Sequence, residues 1–329
     1  MLASTKHIQQ GNTRLAYHLA LGHGFRLISV EREGLRYDSS LAPASHAPST
    51  GCVVLYVVLE GGLCPSHRLV ATLGPSAWLV HEDHIDGALG HRPHSLLTFG
   101  QRFRSITLHI DAQHCRVVRE PHGAPQELVL PPSLREACEH YARQAHRMHG
   151  ATWRDEARLL LQAIVDAGWI DADVMRTLSL FEAWSEDRPP RALTEVVQAF
   201  DLNAKLQRLA ERAQVSLRQV DRLLRGWMVH ARLPDESWRE LSQRWRIKAA
   251  ALLLSSEDFS VADVARIVGY SNPNALTNVF SAHSLPAPSR YRALLASRVA
   301  ACLPAAELPW VPEHRSCCEQ SAEPTVLQS

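Results

Sequence analysis

The chain has 329 residues, of which 46% are hydrophobic, and its 35 Lys or Arg residues nearly balance its 34 Asp or Glu residues. This length suits about two domains of roughly 150 residues each. No run of about 18 apolar residues occurs and the first residues hold no apolar export segment, so we expect a cytoplasmic protein without a membrane partner.

Short apolar runs with strand character extend from about Leu15 to Val129. The runs CVVLYVVLEGG, HRLVATLGPSAWLV and SITLHID are separated by Gly-Gly, Gly-Pro and Asp turns. This spacing is typical of a small antiparallel barrel or sandwich. We therefore predict a β-domain over residues 1–130.

Histidines are frequent in this β-domain, namely His81, His84, His91, His94 and His109. His81 and His84, together with Glu82 and Asp83, are residue types that can bind a metal ion. However, positions 81 and 84 differ in parity, so a regular strand directs their side chains to opposite faces. We predict neither a metal site nor a cofactor.

The hydrophobic period changes from two to about 3.6 at Pro131. SLREACEHYARQAHRMHG and WRDEARLLLQAIVDAGWI predict two amphipathic helices, and VMRTLSLFEAW predicts a shorter third, within a helical segment over residues 131–184. The apolar stripes of the first two helices are Leu134, Cys138, Tyr141, Ala142 and Ala145, and Leu159, Leu160, Ala163, Ile164 and Ala167. These helices either cover the β-domain or join two copies of the chain, and the stripes alone leave both interpretations open.

Residues 185–191, SEDRPPR, carry charges and paired prolines and predict a linker. Two similar stretches follow, LAERAQVSLRQVDRLLR from Leu209 and VARIVGYSNPNALTNVFS from Val264. Each predicts a short apolar helix, a tight turn closed by a capping residue, and a second amphipathic helix. This is the pattern of a helix-turn-helix unit.

In the first copy, Ser216 and Gln219 have capping-box spacing, so the second helix should begin at about Leu217. Its apolar stripe is Val220, Leu223, Leu224 and Trp227.

Arg218, Arg222 and Arg225 lie off that stripe, one turn apart, where guanidinium groups can bind guanine edges and phosphates. Asp221 is either an ion-pair partner within the helix, which we favour, or an acceptor for a cytosine amino group.

In the second copy, Asn272 is a predicted N-cap and Pro273 occupies the first helical position. The outward residues are neutral and comprise Asn274, Thr277, Asn278 and Ser281. They can hydrogen-bond DNA but release no counterions, so this unit should bind more weakly than the first.

One helix is predicted between the copies, from Trp238 to about Ser255, with a capping box formed by Ser237 and Glu240. Its length of about 27 Å is slightly below the roughly 34 Å of one turn of DNA. Two reading helices at its ends would therefore enter successive segments of the major groove.

These stretches resemble the DNA-binding domain of the AraC family of bacterial transcription regulators. The resemblance lies in VADVARIVGYSNPNALTNVFSAHSLPAPSRYR at Ala265, Gly269, Tyr270, Leu276, Phe280, Pro288, Tyr291 and Arg292, and in the connecting helix at Arg246, Ile247, Ala250 and Leu253. The chain departs from the family where neutral Asn278 and Ser281 replace basic residues, and where Ser284 and Leu285 replace an aromatic residue and Gly.

The resemblance implies an α+β chain: an N-terminal cupin-like antiparallel β-barrel that senses an effector, and a C-terminal all-α domain over residues 192–299. This second domain would have seven helices, with two helix-turn-helix units joined by a linker helix. On the family pattern, Arg218, Asp221, Arg222, Asn274, Thr277 and Asn278 would meet bases. The complete predicted DNA-binding set is Ser216, Arg218, Gln219, Asp221, Arg222, Arg225, Asn272, Asn274, Thr277, Asn278 and Ser281.

The charge distribution supports this assignment. Residues 191–299 hold 16 Lys or Arg and 10 Asp or Glu, a balance of +6, whereas the remaining residues hold 19 and 24, a balance of −5. The basic surplus therefore lies on the segment predicted to bind phosphates.

Residues 300–329 are polar and rich in Pro and Glu, and we predict a disordered tail. The seven cysteines have no regular spacing, which favours reduced thiols. The adjacent Cys317 and Cys318 either have no role or bind soft metals or sense oxidants.

We predict a sequence-specific DNA-binding transcription regulator that is not an enzyme. Its predicted partners are double-stranded promoter DNA and a small-molecule effector, with RNA polymerase and a second copy of the chain as further candidates. Two alternatives stay open. One is a cupin-type metal-dependent enzyme, based on the histidines, and the other is an effector-independent regulator that acts through protein partners.

Overall fold

The computed structural model describes residues 2–22, 25–41, 52–65, 68, 70–81, 95–111, 125–145, 152–175, 206–230 and 237–303. The predicted linker, the segment after residue 303 with Cys317 and Cys318, and the histidines His84, His91 and His94 lie outside these residues. The predicted domain boundaries therefore remain predictions.

The described residues of the N-terminal region form nine strands. They are β1 Leu2–Gln10, β2 Thr13–Gly22, β3 Phe25–Glu33, β4 Tyr37–Asp38, β5 Cys52–Pro65, β6 Thr72–Leu73, β7 Ser76–His81, β8 Leu96–Asp111 and β9 Gln126–Leu128. A short 3-10 helix, Ser39–Leu41, follows β4.

The strands form one antiparallel sheet with the order β1-β2-β3-β8-β5-β7-β9, while β4 pairs with β8 and β6 pairs with β5. The strand-rich N-terminal half predicted from period-two patterning is thus confirmed. Among the described residues the path does not close from β9 back to β1, so the cupin-like barrel remains a prediction.

The long strands β5 and β8 change direction near their junction with the C-terminal helices. Their register shifts between Val58 and Glu60 and again between Glu60 and Gly62. A Cβ atom on Gly62 would lie 2.7 Å from the Phe99 ring, so only glycine fits this close approach. Such irregularities bend a strand, and beyond them β5 and β8 carry residues that pack against the C-terminal helices.

Two helices, α1 Pro132–Ala145 and α2 Thr152–Asp166, pack on one face of the sheet. Their buried residues join Leu27, Leu55 and Leu108 of the strands in one apolar core. The prediction for α1 is confirmed throughout its stripe. In α2 one residue of the predicted stripe is wrong, because Leu159 is 62% exposed while Leu161 is buried.

The C-terminal region consists of helices. They are α3 Leu206–Ala213, α4 Leu217–His230, α5 Trp238–Leu253, α6 Val261–Ile267, α7 Pro273–Ala282 and α8 Pro288–Cys302. The predicted start of α4 and the predicted start of α5 agree with the structure. None of the described helices combines the length and the apolarity that a membrane crossing requires.

The core of α5–α8 continues into the end of the sheet. Leu41, Cys64, Leu97 and Phe99 from the N-terminal region share one apolar cluster with residues of these helices. In the middle of this cluster the ring of Phe280 meets that of Tyr291 edge to face at 6.3 Å. The helical region and the sheet are therefore joined by a common core.

Polar contacts surround this shared core. The Tyr291 hydroxyl donates to the carbonyl oxygen of Leu41 at 3.0 Å. On the α8 side, the Arg298 guanidinium lies 2.5 Å from the buried Asp38 carboxylate. On the β2 side, the Thr13 hydroxyl donates to Asp258 at 2.7 Å.

Candidate nucleic-acid interface

The turn between α3 and α4 contains the first predicted cap. Gln214 has a φ of 54°, in the left-handed region, and turns the chain out of α3. The Ser216 hydroxyl then accepts a hydrogen bond from the Gln219 amide at 3.2 Å. In this described turn the hydrogen bond to the Ser216 hydroxyl forms, and the reciprocal bond from the Ser216 amide to the Gln219 side chain does not. The single bond is sufficient to start α4 at Leu217.

The outward face of α4 carries the predicted cations. Val220 and Leu224 are fully buried, which leaves Arg218, Arg222 and Arg225 exposed on the other side of the helix. The side chain of the predicted stripe residue Trp227 lies outside the described part of the chain.

Asp221 is half-buried and its carboxylate accepts a hydrogen bond from Arg225 Nε at 3.0 Å. This confirms the interpretation of Asp221 as an intrahelical partner. It also divides the basic ridge of α4, because Arg225 is held by Asp221 whereas Arg218 and Arg222 form no ion pair with a described residue.

Both helices of the second pair, α6 and α7, begin with a side-chain cap. Asn272 Oδ1 accepts a hydrogen bond from the Ala275 amide at 2.8 Å, and Pro273 follows as the first helical residue, as predicted. Ser260 and Asp263 form a full capping box at the start of α6. Gly269 supplies the positive φ, 83°, in the turn between the two helices.

The outward face of α7 is neutral. Leu276 and Phe280 are buried, and the residues predicted to face DNA are exposed, namely Asn274, Thr277, Asn278 and Ser281. The Thr277 hydroxyl already donates to the Pro273 carbonyl at 3.0 Å. In this rotamer Thr277 can only accept hydrogen bonds from a ligand, whereas Asn274 and Asn278 can both donate and accept.

The connecting helix α5 brings cations close to this neutral pair. Its predicted capping box is confirmed, with Ser237 and Glu240 bonded reciprocally. The Arg246 guanidinium lies 5.9 Å from the centroid of the Tyr270 ring, which stands in the turn before α7. Arg246 matches the connecting-helix pattern in the sequence but is not part of the predicted DNA-binding set.

The other end of α7 also meets α5. Gln243 Nε2 and His283 Nε2 are 3.4 Å apart. Burial lowers the pKa of His283, and the nearby positive charge of Arg244 lowers it further. His283 is therefore mainly neutral at pH 7, and the positive charge at this end of α7 comes from Arg244.

All of these elements lie in a segment that matches a known domain. Residues 209–294 match the model of a helix-turn-helix domain, from within α3 to within α8. This segment is an AraC-type helix-turn-helix domain. The match takes in both helix pairs and the connecting helix, and AraC-type domains of this kind belong to DNA-binding transcription regulators.

Among solved structures, the chain is similar to ToxT from Vibrio cholerae, with 12% identity over 82% of this chain and 98% of that chain and a TM-score of 0.31. A structure of ToxT from Vibrio cholerae with bound unsaturated fatty acid has 12% identity, covers 88% and 98%, and has a TM-score of 0.32. The AraC-like transcriptional activator CuxR has 9% identity, coverage of 68% and 80%, and a TM-score of 0.29. No curated protein matches this chain.

The predicted contact residues of the AraC-type domain are accessible in the structure. Ten of them are exposed: Ser216, Arg218, Gln219, Arg222, Arg225, Asn272, Asn274, Thr277, Asn278 and Ser281. Asp221 is half-buried. Each of α4 and α7 thus presents its predicted residues on the side opposite its buried stripe.

The histidines of the N-terminal region give a metal-dependent enzyme no support among the described residues. No group of three or more metal-binding side chains occurs in that part of the chain. His109 Nδ1 lies 3.3 Å from Arg26 Nη2, and a neighbouring guanidinium opposes the binding of a cation. The side chain of His81 lies outside the described residues.

Proposed function

We propose that this protein is a sequence-specific transcription regulator that binds double-stranded promoter DNA through α4 and α7 and responds to a small-molecule effector held by the N-terminal sheet. The observation that carries the proposal is the exposed pair Arg218 and Arg222 on the reading helix of an AraC-type domain. RNA polymerase and a second copy of the chain are further proposed partners. We also propose a cytoplasmic location, which the irregular spacing of the seven cysteines favours.

The first helix-turn-helix unit supplies most of the electrostatic affinity in this proposal. Arg218 and Arg222 stand one turn apart on α4, with no carboxylate of the described residues bound to either. Arginine can bind guanine O6 and N7 in a bidentate manner, and its contacts with phosphates release counterions. Arg225 contributes less, because the contact with Asp221 must be exchanged for one with DNA.

The second unit reads bases mainly with neutral groups. The amides of Asn274 and Asn278 are suited to the N6 and N7 atoms of adenine. Phosphate contacts near this unit come from α5 in our proposal, because Arg246 lies beside the turn before α7 and Arg244 beside its end. The connecting helix thereby compensates for the missing charge on α7.

The proposed effector site is the sheet face opposite α1 and α2, inside the proposed cupin-like barrel. Arg32 is 3% exposed there, and burial lowers its pKa to about 10. It contacts the hydroxyl of Thr98 and lies 4.0 Å from the centroid of the Phe103 ring. No carboxylate of the described residues is among its partners, and a buried unpaired cation is costly. We therefore propose an effector that carries an anionic group.

The proposal is tested by selecting binding sites from a random duplex DNA library with the full-length protein. The wild-type protein should enrich one sequence with two half-sites. The triple variant Arg218→Ala, Arg222→Ala, Arg225→Ala should bind that sequence at least tenfold more weakly, since each base contact contributes about 1–3 kcal/mol.

A matched control is available on α1. Arg135 and Arg143 are also exposed, and both contact Glu139 across one helical turn, as Arg225 contacts Asp221. Replacing these two arginines by alanine should leave DNA affinity unchanged. If wild-type protein enriches no sequence, or if the triple variant binds as tightly as wild type, the proposed function is wrong.

The effector class is tested separately by thermal unfolding in the presence of small organic anions and of their uncharged amides. A ligand of the native state raises the midpoint of unfolding. We expect stabilisation by an anion and not by its amide, and we expect Arg32→Met to remove it. Equal stabilisation by both compounds would contradict the anionic class.

A further inference from the structure

Two cysteines meet where the sheet joins the last helix. Cys64 lies near the end of β5 and is 2% exposed, and Cys302 is the last residue of α8 and is half-buried. Both belong to the apolar cluster shared by the sheet and helices α5–α8, with Cys64 inside it and Cys302 packed against it. They are 238 residues apart in the sequence, so the fold alone brings them together.

The two thiols are neighbours. Cys64 and Cys302 interact closely enough for Cys302 to raise the pKa of the Cys64 thiol, and neither is in a disulfide. The end of α8 is fixed at this place because the Ala71 amide donates to the Cys302 carbonyl at 3.2 Å. A disulfide would bring the two sulfurs to the S–S bond length of about 2.05 Å.

We propose that Cys64 and Cys302 are a redox-sensitive modification site, and that oxidation by a hydroperoxide joins them in a reversible disulfide between the N-terminal sheet and α8. The site is independent of DNA binding. In a reducing compartment such a disulfide forms transiently and is removed by thiols.

The chemistry proceeds in two steps. The Cys302 sulfur, which is the more accessible of the two, attacks the O–O bond of hydrogen peroxide, takes up one oxygen as a sulfenic acid, and releases the other oxygen, with the thiol proton, as one water molecule. The Cys64 sulfur then attacks the Cys302 sulfur, the S–S bond forms, and the sulfenic hydroxyl leaves as water with the Cys64 proton. The two sulfurs together lose two electrons, and the peroxide is reduced to water.

The surroundings of Cys64 determine which thiol reacts first. Burial and, to a smaller extent, the interaction with Cys302 raise the pKa of Cys64 to about 12. The Cys64 sulfur also lies 3.7 Å from the carbonyl oxygens of Pro65 and Arg68, which keep its proton. Cys64 is therefore protonated at neutral pH and acts as the resolving thiol, and the second step should accelerate as the pH rises.

The disulfide would close a loop that contains both helix pairs of the AraC-type domain. It would prevent α8 from separating from the sheet, because β5 and α8 would be joined covalently at the edge of their common core. Cross-links that close long loops stabilise the folded state. We expect the midpoint of thermal unfolding to rise by roughly 5 °C in the oxidised protein.

The experiment uses the full-length protein with Cys317→Ser and Cys318→Ser, so that these adjacent thiols cannot react. Hydrogen peroxide is added, free thiols are alkylated, and peptides are mapped without reduction. We expect a peptide linked through Cys64 and Cys302 that disappears on treatment with dithiothreitol, together with the rise in unfolding temperature. Cys138, which is equally buried in α1, is an internal control and should stay reduced.

The variant Cys302→Ser should lack both the linked peptide and the temperature shift. It is preferred to a Cys64 variant because Cys302 lies at the half-buried end of a helix, where serine is tolerated. The inference is overturned if Cys302 is oxidised to a sulfinic acid with no linked peptide, or if the linked protein unfolds at the same temperature as the reduced protein. Neither result depends on whether the protein binds DNA.

Discussion

The two helix pairs of the AraC-type domain share one plan but differ in charge and in support. The pair α3–α4 presents Arg218 and Arg222 to solvent, and its described packing is within the pair and against α5. The pair α6–α7 presents neutral side chains and is part of the core that continues into the sheet. In the proposed function, α4 therefore supplies most of the electrostatic attraction to DNA, and the pair α6–α7 supplies the accurate positioning.

This difference explains how a neutral reading helix can be useful. Phosphate contacts by α4 would supply affinity without requiring one DNA sequence. The second pair would add little to this attraction, but it packs into the apolar cluster shared with the sheet, where Phe280 of α7 meets Tyr291 of α8. A change in the sheet would therefore reach α7 more directly than it reaches α4.

The largest expected effect is that of Phe280→Ala. Phe280 is fully buried between the helices and against Tyr291, so its truncation leaves a cavity in the core shared with the sheet. We expect a loss of about 3–5 kcal/mol in the free energy of unfolding, measured with urea. Amide hydrogen exchange should increase in β5 and β8 as well as in the helices.

Leu224→Ala in α4 is the matched substitution in the first pair. Leu224 is also fully buried, and its loss should cost about 2–5 kcal/mol locally. Exchange in β5 and β8 should stay at the wild-type rate in this variant. Equal effects of the two substitutions on the strands would remove the proposed difference in support, whereas Leu159→Ala, at an exposed site, should change neither.

A smaller effect is expected from Arg298→Ala, which removes the ion pair between α8 and the sheet. Asp38 is 2% exposed, and without Arg298 it keeps only the hydrogen bonds from the amide and hydroxyl of Ser40. The loss should be about 1–3 kcal/mol in the free energy of unfolding. Arg290→Ala, at an exposed position on the same helix, is the control and should cost less than about 0.5 kcal/mol.

Local signals in the sequence predicted much of this architecture. The cap at Asn272, the following Pro273, the start of α4 and the pairing of Asp221 with Arg225 all depend on residues within four positions of each other. The domain type followed from the same stretches.

The contacts that distinguish the two pairs were not predictable in this way. Asp38 and Arg298 are 260 positions apart. Cys64 and Cys302 are similarly distant, and no periodicity indicates which sheet edge meets which helix. The error at Leu159 has a related cause. An apolar stripe several residues wide does not show which of its residues are buried until the element that packs against the helix is known.

The charge difference predicts distinct effects on DNA binding. Arg222→Ala should weaken binding to the selected site by about 1–3 kcal/mol if Arg222 contacts a base. If Arg222 contacts a phosphate, the same substitution should make the affinity depend less steeply on salt concentration. Asn278→Ala should weaken binding at the selected site only, with an unchanged salt dependence. Competition assays at several salt concentrations measure both quantities, and an unchanged affinity for Arg222→Ala would place Arg222 outside the interface.

The smallest effect concerns the caps and their dependence on pH. The hydroxyl of Ser260 donates to the Asp263 carboxylate, as does the Ser260 amide, and both hydrogen bonds lower the pKa of Asp263. A carboxyl group whose pKa is depressed by folding stabilises the protein above its unfolded pKa, near 4, and loses this contribution as the pH falls through the folded value. The cap of α4 contains the uncharged Gln219 in the equivalent position, so it should show no such dependence.

We therefore expect Asp263→Asn to flatten the decline in unfolding free energy below about pH 4, whereas Gln219→Ala should leave its slope unchanged. An NMR titration of the Asp263 carboxyl group checks the cause directly, because the midpoint should lie below the usual aspartate value. A midpoint at or above that value would mean that the capping box does not hold the charged form. In that case the caps of the second pair would fix where its helices begin but would add no pH-dependent stability. The two pairs would then differ in their charge and in the core shared with the sheet.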